Sequence, residues 1–188
     1  MRVNAEHRLE QATWSPSPHW DERPEWAELE LIVVHCISLP EGQFGTGLPQ
    51  ALFLGTLDIT ADPTFGDLDG VCVAPHLFID RQGSVHQFVR FDKRAWHAGV
   101  SSWQRRQNCN DFAVGIEMEG AINATYTLAQ YDALADVVSA LLHHYPGLST
   151  DAVVGHNEIA PGRKRDPGFL FDWRGVLLGL HRQHGSDN

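Results

Sequence analysis

Residues 155–168, Gly-His-Asn-Glu-Ile-Ala-Pro-Gly-Arg-Lys-Arg-Asp-Pro-Gly, place the imidazole of His156, three cations and the carboxylate of Asp166 in one stretch. Imidazole nitrogen and carboxylate oxygen are the donors of catalytic zinc, which takes three protein ligands and keeps a position open for water. His156 and Asp166 offer two such donors, so a third must come from elsewhere in the chain. A solvated basic loop with an incidental histidine is the competing reading. Two more polar residues stand in unusual company. His35 lies near the end of an apolar run and is either a hydrogen-bonded core residue or a site residue. Glu117 sits among apolar residues, where a carboxylate is rarely left without a partner. It is either an ion-paired structural residue or a proton-transfer group with a raised pKa, and its strand context favours the second.

The elements that must carry these residues are legible from their periodicity. The run 29–37, Leu-Glu-Leu-Ile-Val-Val-His-Cys-Ile, is nearly continuous in apolar, β-branched residues, which suits a central strand covered on both faces. Side chains alternate along a strand, so Cys36 must face away from His35. Residues 113–120 alternate with period two and form the strand that bears Glu117. Between them, 76–80 and 85–89 flank Arg81-Gln82-Gly83-Ser84, a turn of hairpin length. Residues 38–74 are rich in Gly and Pro; they hold one short helix near Leu48 to Leu54 and otherwise read as a lid or substrate wall over the site. Thr127 and Gln130 are spaced as a capping box. Apolar residues then recur every three or four positions from Leu128 to Tyr145, an amphipathic helix stopped by Pro146-Gly147. His143 and His144 belong to its exposed last turn, and a final short helix covers about 171–180, with His181 and His184 in a frayed tail. Upstream, Ser15 to Pro24 cannot be a helix interior, and Trp14 and Trp20 are its expected anchors.

Composition narrows the classes. A chain of 188 residues fits a single domain, with residues 1–14 and 182–188 expected as flexible ends. A net charge of −10 argues against a nucleic-acid binder, whose affinity comes from neutralising phosphates. The cations cluster instead at Arg105-Arg106 and at 163–165, which suits a small substrate bearing carboxylates as well as it suits two solvated loops. No stretch approaches the ~20 apolar residues needed to span a membrane. The first ten residues contain no apolar core of a secretory signal. Cys36, Cys72 and Cys109 are odd in number and form no Cys-x-x-Cys pair, so the expectation is free thiols in a reducing cytoplasm. The chain contains neither a His-Glu-x-x-His helix, nor a His-x-Glu with Pro-Cys-x-x-Cys, nor a Gly-x-Ser-x-Gly elbow. A thiol enzyme built on Cys36 or Cys109 would need a reactive thiolate, and a buried free cysteine is usually inert.

Several long segments occur together in one order: 17–24, Ser-Pro-His-Trp-Asp-Glu-Arg-Pro; 33–40, Val-Val-His-Cys-Ile-Ser-Leu-Pro; and 42–45, Gly-Gln-Phe-Gly. They are followed by 91–99, Phe-Asp-Lys-Arg-Ala-Trp-His-Ala-Gly; Cys109 to Phe112; Gly115 to Gly120; and Gly155-His156 through Lys164, Asp166 and Pro167. With these segments the chain resembles the zinc N-acetylmuramoyl-L-alanine amidases related to peptidoglycan recognition proteins and phage amidases. It is most similar to their cytoplasmic AmpD branch. The resemblance spans roughly Ser15 to Trp173. It implies an α/β fold: a mixed central β-sheet flanked by helices, with the site at one sheet edge under the 38–74 loops.

Carried over position by position, the resemblance makes His35, His156 and Asp166 the ligands of one Zn2+ per chain. It makes Glu117 the general base and Lys164 the cation that stabilises developing negative charge. Trp96 and His97 would line the pocket, and Arg106, with Arg163 and Arg165, would meet carboxylates of the stem peptide. The implied reaction is hydrolysis of the amide between the lactyl group of 1,6-anhydro-N-acetylmuramic acid and L-alanine, in peptidoglycan recycling. The implied partner is the anhydromuropeptide substrate, with no nucleic acid, no membrane and no obligate protein partner. Three positions depart from the family's pattern: Cys36 stands where Asn is frequent, Asn108 where Arg is, and a further Arg is replaced near Cys72. All three concern the grip on the peptide. The alternatives are a zinc-free muropeptide-binding module, which loss of a ligand residue would signal, and a wall amidase or lysin acting on intact peptidoglycan.

Overall fold

A computed structural model describes residues 1–184. In chain order the strands are β1 (Thr13–Trp14), β2 (Trp20–Glu22), β3 (Leu31–Ile37), β4 (Leu77–Ile79), β5 (Val85–Gln87), β6 (Lys93–Ala95), β7 (Ser102–Trp103), β8 (Arg106–Gln107), β9 (Ala113–Glu119) and β10 (Val153–Gly155). The helices are α1 (Leu48–Phe53), α2 (Leu128–His144), α3 (His156–Ile159) and α4 (Trp173–His184). Six strands form one sheet in the order β1-β5-β4-β9-β3-β10. β4, β9, β3 and β10 run parallel to their neighbours in that order, while the hairpin partner β5 is antiparallel to β4, so the sheet is mixed. The hairpin turn is closed by Asp80, whose Oδ1 accepts from the amides of Gln82 and Ser84, and by Gly83 at φ +83°.

Period-two alternation divides the two long strands between two cores. Ile32 and Val34 of β3 join Val114, Ile116 and Met118 of β9 against Leu134, Val138 and Leu141 of α2 and Val176 and Leu180 of α4. Leu31, Val33 and Ala113 point the other way, against Phe112, Val154 and Ile159. A third cluster seats α1, through Leu52 and Phe53, on Phe78 and Phe88. Helices therefore cover both faces. Each fully buried aliphatic or aromatic side chain contributes about 1.5–3 kcal/mol relative to exposure, which makes these parity choices decisive for strand register. α2 starts at the expected capping box: Thr127 Oγ1 accepts from the Gln130 amide and Gln130 Oε1 from the Thr127 amide. Leu128, the first apolar residue of the helical repeat, is 82% exposed because it lies on the solvent side of the first turn. His143 and His144 are exposed, as expected. Among the described residues, no helix is long and apolar enough to cross a membrane.

Three expectations are corrected. Residues 1–14 are packed: Val3 and Leu9 bridge each other and are buried, and Thr13–Trp14 adds a strand to the sheet. The proline-rich arm is not anchored by Trp20, which is 43% exposed. It is held by polar groups: Ser17 Oγ donates to the Phe53 carbonyl at 2.5 Å, and β2 pairs with β6. Arg23 donates to the carbonyls of Phe91, Asn110, Asp111 and Ala113. Finally, α4 continues through 181–184, so the backbone of His181 and His184 is helical; residues 185–188 lie outside the described part of the chain.

Candidate active site

Parity and register place the polar residues. β3 and β9 pair with Val33 opposite Gly115 and His35 opposite Glu117, so His35 and Glu117 extend the Leu31–Val33 and Ala113–Gly115 side of the sheet at the same level. β10 lies on the other flank of β3 with Gly155 opposite Val34, and His156 follows at once as the first residue of α3. The site thus occupies the carboxyl ends of three adjacent parallel strands. Tertiary contacts return the loop after α3 to this point. The Asn157 amide donates to the Asp166 carbonyl at 3.0 Å, and Tyr126 Oη donates to the Pro167 carbonyl at 2.7 Å. Gly168, at φ +99°, lies so close to Ile122 that a Cβ would fall 2.4 Å from its carbonyl oxygen.

The result is a tight triangle of donors. His35 Nδ1 and His156 Nδ1 are 2.9 Å apart, and Asp166 Oδ2 lies 2.9 Å from His156 Nδ1 and 3.3 Å from His35 Nδ1. Both histidines are buried. Three lone-pair atoms aimed at one point repel unless positive charge lies among them, and a single proton can bridge only two. Zinc bonds of 2.0–2.2 Å in tetrahedral geometry set ligand atoms about 3.3 Å apart, so nitrogen, nitrogen and oxygen here fit a zinc-sized cation. Cys36 is turned to the opposite face, packs against the α2 core, and has its thiol pKa pushed up to about 12 by burial.

The two carboxylates are driven in opposite directions. Burial raises the Glu117 pKa well above the usual carboxylate range; the Asp166 charge adds to the rise and the Lys164 ammonium opposes it. Glu117 Oε2 is buried and has no hydrogen-bond partner among the described residues. For Asp166, burial also pushes upward, but the hydrogen bonds and charges of His156 and His35 outweigh it, and its pKa lies below the usual range. Burial lowers His35 to about 4, against the upward pull of Asp166. Glu117 is therefore the more basic of the two carboxylates, and Asp166 the one held as an anion.

A cavity of about 670 Å3 opens beside the triangle. His156 and Lys164 line it with Trp96, His97 and Arg94, and so do Cys72 and Asn108, two of the positions that depart from the family pattern. Its wall is mostly the segment 94–111, and Cys72 and Val73 of the 38–74 stretch contribute to it. Arg94 stacks 4.6 Å over the Trp96 ring and pairs with Asp21 and Asp111. Arg163 spends its guanidinium on the carbonyls of Ala98 and Val100, and Arg165 lines a neighbouring cavity with Phe169. Arg106 does not join the site. It lies 4.1 Å over the Phe112 ring and pairs with Glu30, so its charge is engaged elsewhere. Arg94 and Asn110 are site residues that sequence reasoning missed. Both fall inside the motifs 91–99 and 109–112, but nothing local to those motifs says where the side chains point.

Comparison with known proteins agrees with this geometry. The family model for N-acetylmuramoyl-L-alanine amidase matches residues 25–169. The 1,6-anhydro-N-acetylmuramyl-L-alanine amidase AmpD of Citrobacter freundii is 51% identical over 165 residues, covering 88% of each chain. The enzyme of the same name from Escherichia coli K12 is 51% identical over 158 residues, covering 84% of this chain and 86% of its own. A crystal structure of selenomethionine AmpD superposes with a TM-score of 0.92 at 48% identity, over 96% of this chain and 99% of the other. A sheet of this topology, ending in a His-His-Asp triangle beside a half-buried glutamate, thus coincides with a family match over most of the chain, and the protein belongs to the N-acetylmuramoyl-L-alanine amidases, a family of hydrolases.

Proposed function

We propose that this chain is a zinc-dependent 1,6-anhydro-N-acetylmuramyl-L-alanine amidase. It is read as one amidase domain acting in the cytoplasm, in peptidoglycan recycling, without an obligate protein partner. It cuts the amide between the lactyl group of anhydro-N-acetylmuramic acid and the L-alanine of the stem peptide. The observation that carries the reading is the convergence of His35 Nδ1, His156 Nδ1 and Asp166 Oδ2 within 3.3 Å of one another, one strand away from Glu117. When bound by these three residues, zinc supplies Lewis acidity, acidifying water and polarising a carbonyl oxygen.

The chain's own groups do the rest. Glu117, raised in pKa and with one oxygen unpartnered, takes a proton from the attacking water. It then gives that proton to the alanine nitrogen, because an amine leaves far more readily than an amide anion. Lys164 lines the cavity as a cation and holds the negative charge that develops on the former carbonyl oxygen; one such donor is worth about 3–4 kcal/mol in other enzymes. Asp166 remains an anion throughout, so two neutral imidazoles and one carboxylate leave a divalent site with net charge near +1. Trp96 and His97 form the wall against which the substrate lies. The deciding experiment is hydrolysis of a purified anhydromuropeptide beside intact peptidoglycan, each with and without a chelator, reading released peptide. Chelator-sensitive cleavage of the soluble substrate, with little action on the sacculus, is expected. Equal action on both would move the protein to the wall-amidase branch. Absence of cleavage with zinc bound would leave a binding module.

A further inference from the structure

The donor triangle uses one nitrogen of each histidine and leaves the other to be placed. With both Nδ1 atoms turned to the common centre, each Nε2 carries the ring proton and must donate it. His35 Nε2 lies 2.9 Å from His97 Nδ1. His156 Nε2 lies 3.0 Å from the Ala98 carbonyl oxygen. The two acceptors belong to consecutive residues, and one buried side chain holds that pair. Asn110 Oδ1 accepts from the backbone amides of His97 at 3.1 Å and Ala98 at 2.9 Å. The His97 ring is also fixed from below, because it lies directly over Gly115. As an acceptor at Nδ1, His97 carries its own proton on Nε2, a buried atom with no hydrogen-bond partner among the described residues.

We infer that Asn110 and His97 are positioning residues that set the tautomer and aim of both histidines of the triangle, Asn110 by clamping the 97–98 backbone and His97 by accepting from His35. Groups of this kind, one shell outside a metal, typically change affinity by about 10–100-fold when removed. The inference rests on the reading of His35, His156 and Asp166 as metal ligands. It adds that one side chain outside the triangle, Asn110, governs both imidazoles at once.

The test uses the whole chain and four variants. Asn110→Ala and His97→Phe remove the acceptors; Asn110→Asp and His97→Asn keep an oxygen in reach. Zinc affinity is read by competition with a chromogenic chelator, and the tautomers by 15N spectra of the histidine rings. Asn110→Ala and His97→Phe are expected to weaken zinc binding about 10–100-fold, and the conservative variants to stay within about threefold of the parent. Zinc-loaded parent should show His35 and His156 protonated at Nε2. Unchanged affinity in Asn110→Ala and His97→Phe overturns the inference, as does equal weakening in the conservative variants, which would mark a packing role alone. If Asn110→Ala does not fold, the His97 pair decides. A parent chain that binds no zinc would instead remove the ligand reading beneath the proposal.

Discussion

Gly115 gives the sharpest single perturbation. It lies in the extended strand β9, its amide donates to His76 Nδ1 at 3.0 Å, and its conformation is open to any residue. Gly115→Ala therefore acts only through the added methyl. That methyl would fall 2.3 Å from His97 Cγ and 2.5 Å from Cδ2 and Nδ1. Ordinary contact begins near 3.4 Å, so the ring must retreat by about 1 Å, and the 2.9 Å bond to His35 Nε2 cannot survive that shift intact. Overpacking of this kind costs about 1–3 kcal/mol of stability, and a 1 Å misplacement near a reacting centre about 100-fold in rate. At about 2–4 °C per kcal/mol for a chain of this size, the melting temperature should fall by roughly 2–12 °C. The assay is the turnover number on anhydromuropeptide with thermal melts alongside, repeated in Gly115→Ala/His97→Ala. Truncating the ring removes the clash, so the double variant should regain the lost stability while staying impaired in catalysis. Gly115→Ala with activity within threefold of the parent, or a double variant no more stable than the single one, would show that His97 swings freely and that the strand does not fix it.

Other expectations follow from the same geometry. Glu117→Gln should lower the turnover number by about 10²–10⁴-fold while zinc binding, read by metal analysis after dialysis, is retained. In the metal-free protein the same change should raise the melting temperature. A carboxyl whose folded pKa exceeds its unfolded one keeps the folded state more protonated, so stability falls as pH rises from about 4.5 upward; the gain from glutamine should appear in that window and vanish in acid. Lys164→Ala should cut turnover about 100-fold and move the acidic limb of the pH–rate profile to higher pH, because Lys164 lowers the Glu117 pKa; a profile that stays in place would separate the two charges. Arg23→Ala leaves four carbonyls without their donor, so a loss of about 3 kcal/mol and a melting temperature lower by roughly 6–12 °C are expected in denaturation curves. Chelation should both abolish activity and lower the melting temperature, since a ligand at about 1,000 times its Kd contributes about 4 kcal/mol; zinc addition should restore both.

How much of this was written in the chain depends on the range of the interaction. The period-two runs placed β3 and β9, and parity alone put His35 opposite to Cys36 and Glu117 level with Ala113 and Gly115. Turn and cap chemistry placed the hairpin and the start of α2, because each is completed within four or five residues. The His-His-Asp set and Glu117 were legible through whole motifs matching a family, and the fold gathers the three donors at adjacent strand ends. Other roles had no local signature. Arg106 reads as a free cation until Phe112 and Glu30 are seen to occupy it. The proline-rich arm suggested tryptophan anchors, but Arg23 and Ser17 hold it through backbone carbonyls more than thirty residues away. Periodicity reports which face a side chain takes, and motifs report which residues travel together. Only the packed chain decides which carbonyl, ring or amide each polar atom finds, as Asn110 finds the 97–98 backbone and His97 finds the space that Gly115 leaves open.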